Sequence, residues 1–411
     1  HRQVREWLDR RRALRDQRDV VLLSPLEKDH LRKRLLRRWG LAFGAALIAG
    51  IWIVVLYWDV LRSVCSGASM YSAQLLPTGA SFTQLLHTAT TSWSYASGTG
   101  ISAPNAPWLL VLALASVLTG GHVAGAVGLM FFLAAPLMVF SFWALAGIFT
   151  RSDAVRCVVA LALSMGLYDD ADVTMLTVMV FLPAAFAFSF RAVGMYRTED
   201  LVNPHASVQA AAVAALCFIP VVAAQPQLLL PLMLTFLGFL LFVRSHKPAL
   251  LLIPLPAAFV CAPTLVNAVR FASDGTWRQL FGSVMLPSST HDGKPVVANL
   301  SDLLLRVFGI GADGGAWRYV AVSILALIVL LAAVSLVLPF VLRVSRMMWI
   351  AVFAGLATAL LSAAIAVAVD VDGPVSGSML PGTTYAMMGL LACICMMSGG
   401  AVRRFVMLRQ H

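Results

Sequence analysis

Residues 122–149 read HVAGAVGLMFFLAAPLMVFSFWALAGIF, an apolar stretch without a single charged side chain. A helix needs about 20 apolar residues to cross the hydrocarbon core of a bilayer, and this stretch is longer than that. Ten further apolar stretches share its character, at residues 40–58, 107–120, 155–168, 173–190, 207–224, 227–243, 248–269, 319–342, 347–369 and 383–400. The pattern predicts an all-α fold, a polytopic transmembrane helix bundle.

The overall composition agrees with a membrane protein and separates a basic N-terminal segment from the rest. The chain is 60% hydrophobic and 12% charged, whereas soluble domains are about 25% charged. Residues 1–38 carry 13 Lys/Arg and six Asp/Glu, a net +7 of the total +11. We predict that residues 1–38 form a basic cytoplasmic juxtamembrane arm and residues 39–411 the transmembrane domain. The expected partners of the arm are anionic membrane lipids rather than nucleic acid.

The number of crossings depends on the short stretch 107–120, which as a helix would be about 21 Å long and could not span the bilayer. If 107–149 makes one net crossing, the basic connectors all fall on the cytoplasmic side, as the positive-inside rule requires. Those connectors carry Arg151/Arg156, Arg191/Arg197, Arg244/Lys247, Arg343/Arg346 and Arg403/Arg404/Arg409. We therefore predict about ten crossings of the cell (plasma) membrane and cytoplasmic N- and C-termini. The long loops 59–106 and 270–317 would then lie on the outer face.

Two groups of acidic residues are candidates for chemistry at the outer face. Asp59 follows Trp58 at the outer end of the first apolar helix, where it could either mark the membrane boundary or act as a catalytic acid. The second group is Tyr168-Asp169-Asp170-Ala171-Asp172, in which Asp172 is suited to cap the following helix. Three carboxylates in so short a connector repel one another. Capping does not require Asp169 and Asp170, so the group could also serve a divalent cation or a general base.

The two outer loops supply candidate substrate-binding residues. Loop 59–106 contains Arg62 and His87, and a short surface helix is expected around residues 82–91. Loop 270–317 contains Arg270 and Arg278, which suit a phosphate group at the membrane surface. Local ion pairs are the alternative, with the aspartates Asp274, Asp292, Asp302 and Asp313. No nucleotide-binding, serine-hydrolase or zinc-protease motif occurs, and no cofactor is predicted beyond the divalent cation.

The order of these features resembles a known family. The outer acid Asp59 is followed by a long loop, then by Pro107-Trp108-Leu109-Leu110, then by a helix ending in Gly147-Ile148-Phe149-Thr150-Arg151, and then by Asp172-Val173-Thr174-Met175-Leu176. This order is similar to that of the multi-spanning C-type glycosyltransferases, which use polyprenyl-phosphate-linked sugars. More specifically, the chain resembles the membrane portion of large actinobacterial glycosyltransferases. The motifs that carry this likeness are Leu76-Pro77, Pro104-Asn105-Ala106-Pro107-Trp108, residues 248–254 (PALLLIP), Asp372-Gly373-Pro374 and Pro381-Gly382.

The resemblance implies a membrane glycosyltransferase, or the membrane module of one, that works in cell-envelope glycan assembly. Asp59 would be the general base, and Asp169, Asp170 and Asp172 would position the acceptor or a divalent cation. Arg62, His87, Arg270 and Arg278 would bind the lipid-linked sugar. The resemblance also implies a cytoplasmic family 2 glycosyltransferase domain upstream, and we expect the sequence that begins at His1 to be a piece of such a longer protein. Two alternatives remain open: a non-catalytic scaffold for that upstream domain, and a flippase for lipid-linked glycan.

Overall fold

The computed structural model describes residues 25–68, 81–91, 93–94, 101–102, 106–166, 173–196, 205–282, 304, 307–308, 310, 315–337, 342–370 and 373–397. The first part contains helices α1 (Pro25–Leu56), α2 (Trp58–Cys65), α3 (Phe82–Thr90), α4 (Trp108–Leu118), α5 (Val123–Phe149), α6 (Asp153–Gly166) and α7 (Val173–Ala192). The second part contains α8 (Val208–Ala224), α9 (Leu229–Phe242), α10 (Lys247–Leu252), α11 (Leu255–Arg270), α12 (Gly315–Val334), α13 (Leu342–Ala364) and α14 (Leu380–Ile394). Short 3-10 turns occupy Pro226–Leu228, Ala272–Asp274, Thr276–Phe281 and Cys395–Met397. Two antiparallel hairpins pair β1 (Trp93–Ser94) with β2 (Ile101–Ser102) and β3 (Ala366–Asp370) with β4 (Gly373–Ser376).

The protein is a helical membrane protein. Among the described residues, six helices are long and apolar enough to cross a bilayer: Arg32–Leu56, Val123–Phe149, Val173–Ala192, Lys247–Arg270, Gly315–Val334 and Arg343–Ala364. The count of ten crossings, the kind of membrane and the cytoplasmic position of the termini remain predictions. Contacts divide the chain into residues 1–44 and residues 45–411. Helix α1 runs without interruption through the predicted boundary at residue 38.

The predicted surface helix 107–120 is helix α4, and it is separate from α5. Its 11 residues correspond to about 16 Å of helix, so α4 cannot span a bilayer by itself. Gly120 and Gly121 both have positive φ, 68° and 88°, a backbone conformation that glycine adopts without steric cost. His122 then caps α5, because its side chain accepts a hydrogen bond from the Gly125 N–H. The two glycines therefore divide what would otherwise be a continuous apolar helix.

Helices α5 and α7 run parallel through the core of the bundle. Ser141 Oγ accepts a hydrogen bond of 2.8 Å from the Ala184 N–H, next to Pro183 in the interior of α7. Near the C-terminal ends of both helices, the rings of Phe149 and Phe190 contact each other edge to face. Parallel neighbours need a returning element between them, and α6 supplies it. The core around α7 is largely aromatic, because Phe186 contacts several rings, namely Phe218, Phe236, Phe239 and Tyr385.

Residues 45–411 have two chemically different ends. At one end, Arg156 is buried and donates to the Thr150 carbonyl, while exposed cations lie in the last turn of α7, between α9 and α10, and in the first turns of α13. We call it the arginine end; its described cations are Arg151, Arg156, Arg191, Arg244, Lys247, Arg343 and Arg346. The opposite end carries the β3–β4 hairpin and the Thr276–Phe281 turn, which are joined by a bond from the Ser378 N–H to the Phe281 carbonyl. We call it the hairpin end. These described cations thus lie together at one end, and the side of the membrane that this end faces stays a prediction.

Two details of the bundle bear on the expected spans. The predicted span 248–269 is interrupted at Ile253–Pro254, between α10 and α11, as its prolines suggest. The predicted span 347–369 is helical only to Ala364, and strand β3 begins at Ala366. The run Ala366-Val367-Ala368-Val369 is apolar but rich in β-branched valine, which favours strand over helix.

The two ends can be assigned to sides of the membrane with one native and one introduced thiol. Cys65 is exposed at the end of α2, which packs on the N-terminal part of α5, and Ser245 is exposed at the arginine end. We expect a membrane-impermeant maleimide added to intact cells to label Cys65 and not the Cys65→Ser variant. In that variant background, Ser245→Cys should react only after permeabilisation. Labelling of the Ser245→Cys variant in intact cells would show that the arginine end faces outward, which is the reverse of the predicted topology.

Candidate functional site

The hairpin end contains polar side chains on packed segments that are distant in sequence, all of them buried except Arg278, which is half-buried. We call this group the polar cluster: Gln227, Arg278, Gln279, Ser362 and Thr384. Gln227 lies in the Pro226–Leu228 turn, which packs against the Thr276–Phe281 turn and against α14. Ser362 Oγ donates a 2.6 Å hydrogen bond to Gln227 Oε1 across 135 positions of sequence. The cluster therefore joins four elements of the bundle.

Close backbone contacts hold the cluster in place. A Cβ added to Gly377 would lie 2.7 Å from the Ser362 carbonyl oxygen and 2.8 Å from the Phe281 carbonyl oxygen. Only glycine fits so close to two backbones. Gly282 is similarly tight against the Val367 side chain of the hairpin. The hairpin thus holds the Thr276–Phe281 turn, with Arg278 and Gln279, against the end of α13.

The polar cluster has unused hydrogen-bonding capacity. Four buried side-chain atoms of the cluster have no hydrogen-bond partner: Gln227 Nε2, Arg278 Nη1, Gln279 Oε1 and Thr384 Oγ1. Gln227 is 3% exposed and Gln279 is 7% exposed. A buried polar atom without a partner costs about 1–3 kcal/mol, so four such atoms on elements that pack together at the hairpin end favour a bound polar group or ordered water there. Donors and acceptors are both present, which suits hydroxyl and phosphate oxygens.

Further polar contacts at the hairpin end surround the start of α7. Gln225 Nε2 donates to Thr174 Oγ1 at 3.0 Å, and Trp108 Nε1 donates to Thr177 Oγ1 at 3.3 Å. All four of these residues are buried. The first turns of α7 are therefore fixed by side chains from α4 and from the end of α8. The connector just before this turn carries Asp169, Asp170 and Asp172, which lie outside the described residues, so their predicted role stays a prediction.

Asp59 does not close the first helix, as the sequence suggests, but lies in the first turn of the separate helix α2. Its side chain is exposed, and an acid in a first helical turn interacts favourably with the helix dipole. Helix α2 packs on α5 through Val64, whose Cγ1 lies 2.9 Å from a Cβ built on Gly128. Arg62 is exposed on the same helix. Both residues are thus accessible near the start of α5.

His87 lies on helix α3, where the structure gives its ring a local partner. The predicted surface helix is present as Phe82–Thr90, and a reciprocal Ser81–Gln84 capping box begins it. Leu85, Thr88 and Ala89 face inward, whereas His87 is exposed and its Nδ1 lies 3.3 Å from Thr91 Oγ1.

The two arginines of the second outer loop differ in their surroundings. Arg270 is exposed at the end of α11, with its guanidinium 5.5 Å from the centre of the Phe271 ring. Arg278 is half-buried, lies 5.6 Å from the centre of the Trp277 ring and belongs to the polar cluster. Neither arginine pairs with Asp274 in the described structure; Asp274 accepts from Ser273 Oγ. The other three aspartates of the ion-pair alternative lie outside the described residues.

The described residues offer no ready metal site. They contain no group of three or more His, Cys, Asp or Glu side chains that could hold an ion. The divalent cation suggested for Asp169, Asp170 and Asp172 concerns the connector outside that part of the chain.

Sequence reasoning missed the glutamines and hydroxyl groups of the site. Gln225-Pro226-Gln227 separates two apolar stretches and has the composition of an ordinary connector. The sequence nevertheless offers one indication of their importance. Gln225 and Gln227 place two side-chain amides within a long apolar region, where polar groups need a partner. Their partners come from α7 and α13, and no local pattern indicates that contact.

The hairpin end thus holds a half-buried arginine and buried polar atoms with spare hydrogen-bonding capacity, while the exposed Asp59 lies on α2 against the start of α5, and no described contact joins it to the polar cluster. No protein-family model, curated protein or solved structure matches the chain.

Proposed function

We propose that this chain is the membrane module of a glycosyltransferase and that it transfers sugar from a polyprenyl-phosphate-linked donor at its hairpin end. The observation that carries the proposal is the polar cluster, in which Gln227 Nε2, Arg278 Nη1 and Gln279 Oε1 lack partners. A lipid-linked sugar matches such a set, since its phosphate accepts hydrogen bonds and its hydroxyl groups both donate and accept. The apolar bundle below the cluster suits the polyprenyl chain.

In this proposal the reaction is an inverting transfer. Asp59 accepts the proton of the acceptor hydroxyl, and that oxygen bonds to the anomeric carbon of the donor sugar. The bond between the anomeric carbon and the phosphate oxygen breaks, and polyprenyl phosphate leaves. Arg278 binds the departing phosphate, whose negative charge increases in this step. Asp169, Asp170 and Asp172 position the acceptor, and the proposed partner of the module is a family 2 glycosyltransferase domain upstream.

Arg278 offers a direct test, with Arg343 of the arginine end as the control. In membranes supplied with a radiolabelled polyprenyl-phosphate sugar, Arg278→Gln should lower transfer about tenfold to a hundredfold, the usual loss for a hydrogen bond to a charged group. Arg343→Gln should transfer at the wild-type rate, because Arg343 is an exposed arginine at the opposite end of the bundle. Production of both variants at equal levels in the membrane is the folding control.

The two rival functions give different results in the same assay. A flippase moves the labelled lipid between leaflets and forms no new glycosidic bond. A scaffold shows neither movement nor bond formation, and its variants behave alike. Equal rates of transfer by Arg278→Gln and wild type would show that the polar cluster takes no part in the reaction.

A further inference from the structure

At the arginine end, a groove of about 440 Å3 opens between the end of α7, the start of α8 and helix α10. Its lining is almost entirely apolar and consists of small and branched side chains together with Ser207 and His246. Val208 on its edge is 86% exposed and Leu252 is 61% exposed. In a membrane-spanning bundle, exposed apolar side chains of this kind face lipid. A volume of this size lies within the usual range of ligand-binding pockets.

The mouth of the groove is positively charged. On the described segments that form it, residues 191–196, 205–215 and 243–253, the formally charged side chains are all cations: Arg191, Arg244 and Lys247. These three cations give the described segments around the groove a net charge of +3.

The backbone at the mouth is unusual. His246 lines the groove and has a φ of 63°, the one positive value among the described non-glycine residues. Histidine is among the few residues that enter this region with some frequency. The conformation begins helix α10 and lies between the two cations Arg244 and Lys247 in sequence.

We propose that this groove binds an anionic phospholipid, with one acyl chain along the alanine face of α8 and the phosphate at Arg244 and Lys247. The apolar lining of the groove suits a lipid acyl chain, and the cations at its mouth favour an anionic head group over a neutral one. A neutral phospholipid would fill the same volume but would gain nothing from the basic mouth. This site is at the opposite end from the polar cluster and does not depend on the proposed glycosyl transfer.

The test uses the purified full chain in nanodiscs of phosphatidylcholine that contain a phosphatidylglycerol with a diazirine on one acyl chain. After illumination, mass spectrometry should locate cross-links in peptides covering residues 206–215 and 249–253. Unlabelled phosphatidylglycerol should compete with the probe, whereas phosphatidylcholine and inorganic phosphate should not. The double variant Arg244→Gln/Lys247→Gln should lose about tenfold of the labelling, since each cation near a membrane surface contributes to binding an anionic lipid.

Two further variants separate the groove from general charge at this end. Arg343→Gln/Arg346→Gln removes two exposed cations of the same end on helix α13, which contributes no residue to the groove, whereas Arg244 and Lys247 flank the lining residue His246; this control should label like wild type. Ala212→Trp places an indole in the groove from an exposed position and should reduce labelling about tenfold, because it fills the space a chain would occupy. Equal labelling by the phosphatidylcholine form of the probe would overturn the proposal. So would displacement by inorganic phosphate, or cross-links that join two copies of the chain in place of lipid.

Discussion

Replacing Gly382 with alanine is expected to lower the melting temperature of the purified protein by about 5 °C or more, because helices α13 and α14 are in backbone contact at this residue. A Cβ at Gly382 would lie 2.6 Å from the Ala359 nitrogen and 2.7 Å from the Gly355 carbonyl oxygen. Both atoms are backbone, so no side-chain rotation relieves the clash, and the helices must separate. In a bilayer, close packing at small residues supplies much of the association between helices.

A matched helical glycine provides the control for this substitution. A Cβ at Gly44 of α1 meets no atom within 4 Å, so Gly44→Ala should melt at the wild-type temperature or slightly above it. Thermal denaturation of both variants in the same detergent, followed by intrinsic fluorescence, gives the comparison. Equal melting temperatures for Gly382→Ala and wild type would show that α13 and α14 are further apart than the structure has them.

The helices were largely predictable from sequence because apolar stretches of this length have few alternatives in a membrane. The stretch 122–149 corresponds to Val123–Phe149, and 207–224 corresponds to Val208–Ala224. The start of α8 is also explained locally, because Ser207 Oγ accepts from the Ala210 N–H. Composition and capping residues are local properties, so they can be read without knowledge of the fold.

The β3–β4 hairpin was not predictable from the same kind of pattern. Ala366–Val369 continues an apolar stretch, and such a run fits the end of a helix or a buried strand equally well. The hairpin is in contact with the Thr276–Phe281 turn: the Phe281 carbonyl oxygen accepts from the Ser378 N–H and lies close to Gly377, and Gly282, which ends the turn, lies close to Val367. Those contacts join segments about a hundred residues apart, and hydropathy carries no information about them.

The residues of the candidate site also divide into those that the sequence predicted and those that it did not. Arg278 was a candidate because a basic residue in a predicted outer loop is unusual, and the structure adds that it is half-buried, with a buried Nη1 that has no hydrogen-bond partner. Gln227, Gln279 and Thr384 were not candidates, because uncharged polar residues such as the two glutamines are common in connectors and Thr384 lies within a predicted apolar span. Their significance comes from burial without partners, which only the three-dimensional structure shows. His87 was also a candidate. Its exposed ring lies beside Thr91 of its own helix segment, and its role in substrate binding stays a prediction.

Replacing Asp59 with asparagine is expected to lower sugar transfer at least about a hundredfold, the usual contribution of a general base, while the protein remains folded. Asparagine keeps the size of the side chain but cannot accept the acceptor's proton. The folded structure should tolerate the change because Asp59 is exposed and α2 packs on α5 through Val64.

Asp274→Asn is the matched control, an exposed acid of the hairpin end whose described partner is Ser273. The measurement is formation of the glycosidic product from a polyprenyl-phosphate sugar, together with melting temperature. Unchanged transfer by Asp59→Asn would exclude Asp59 as the base. If variants of Asp169, Asp170 and Asp172 also kept full activity, the module would be a scaffold for a reaction carried out elsewhere.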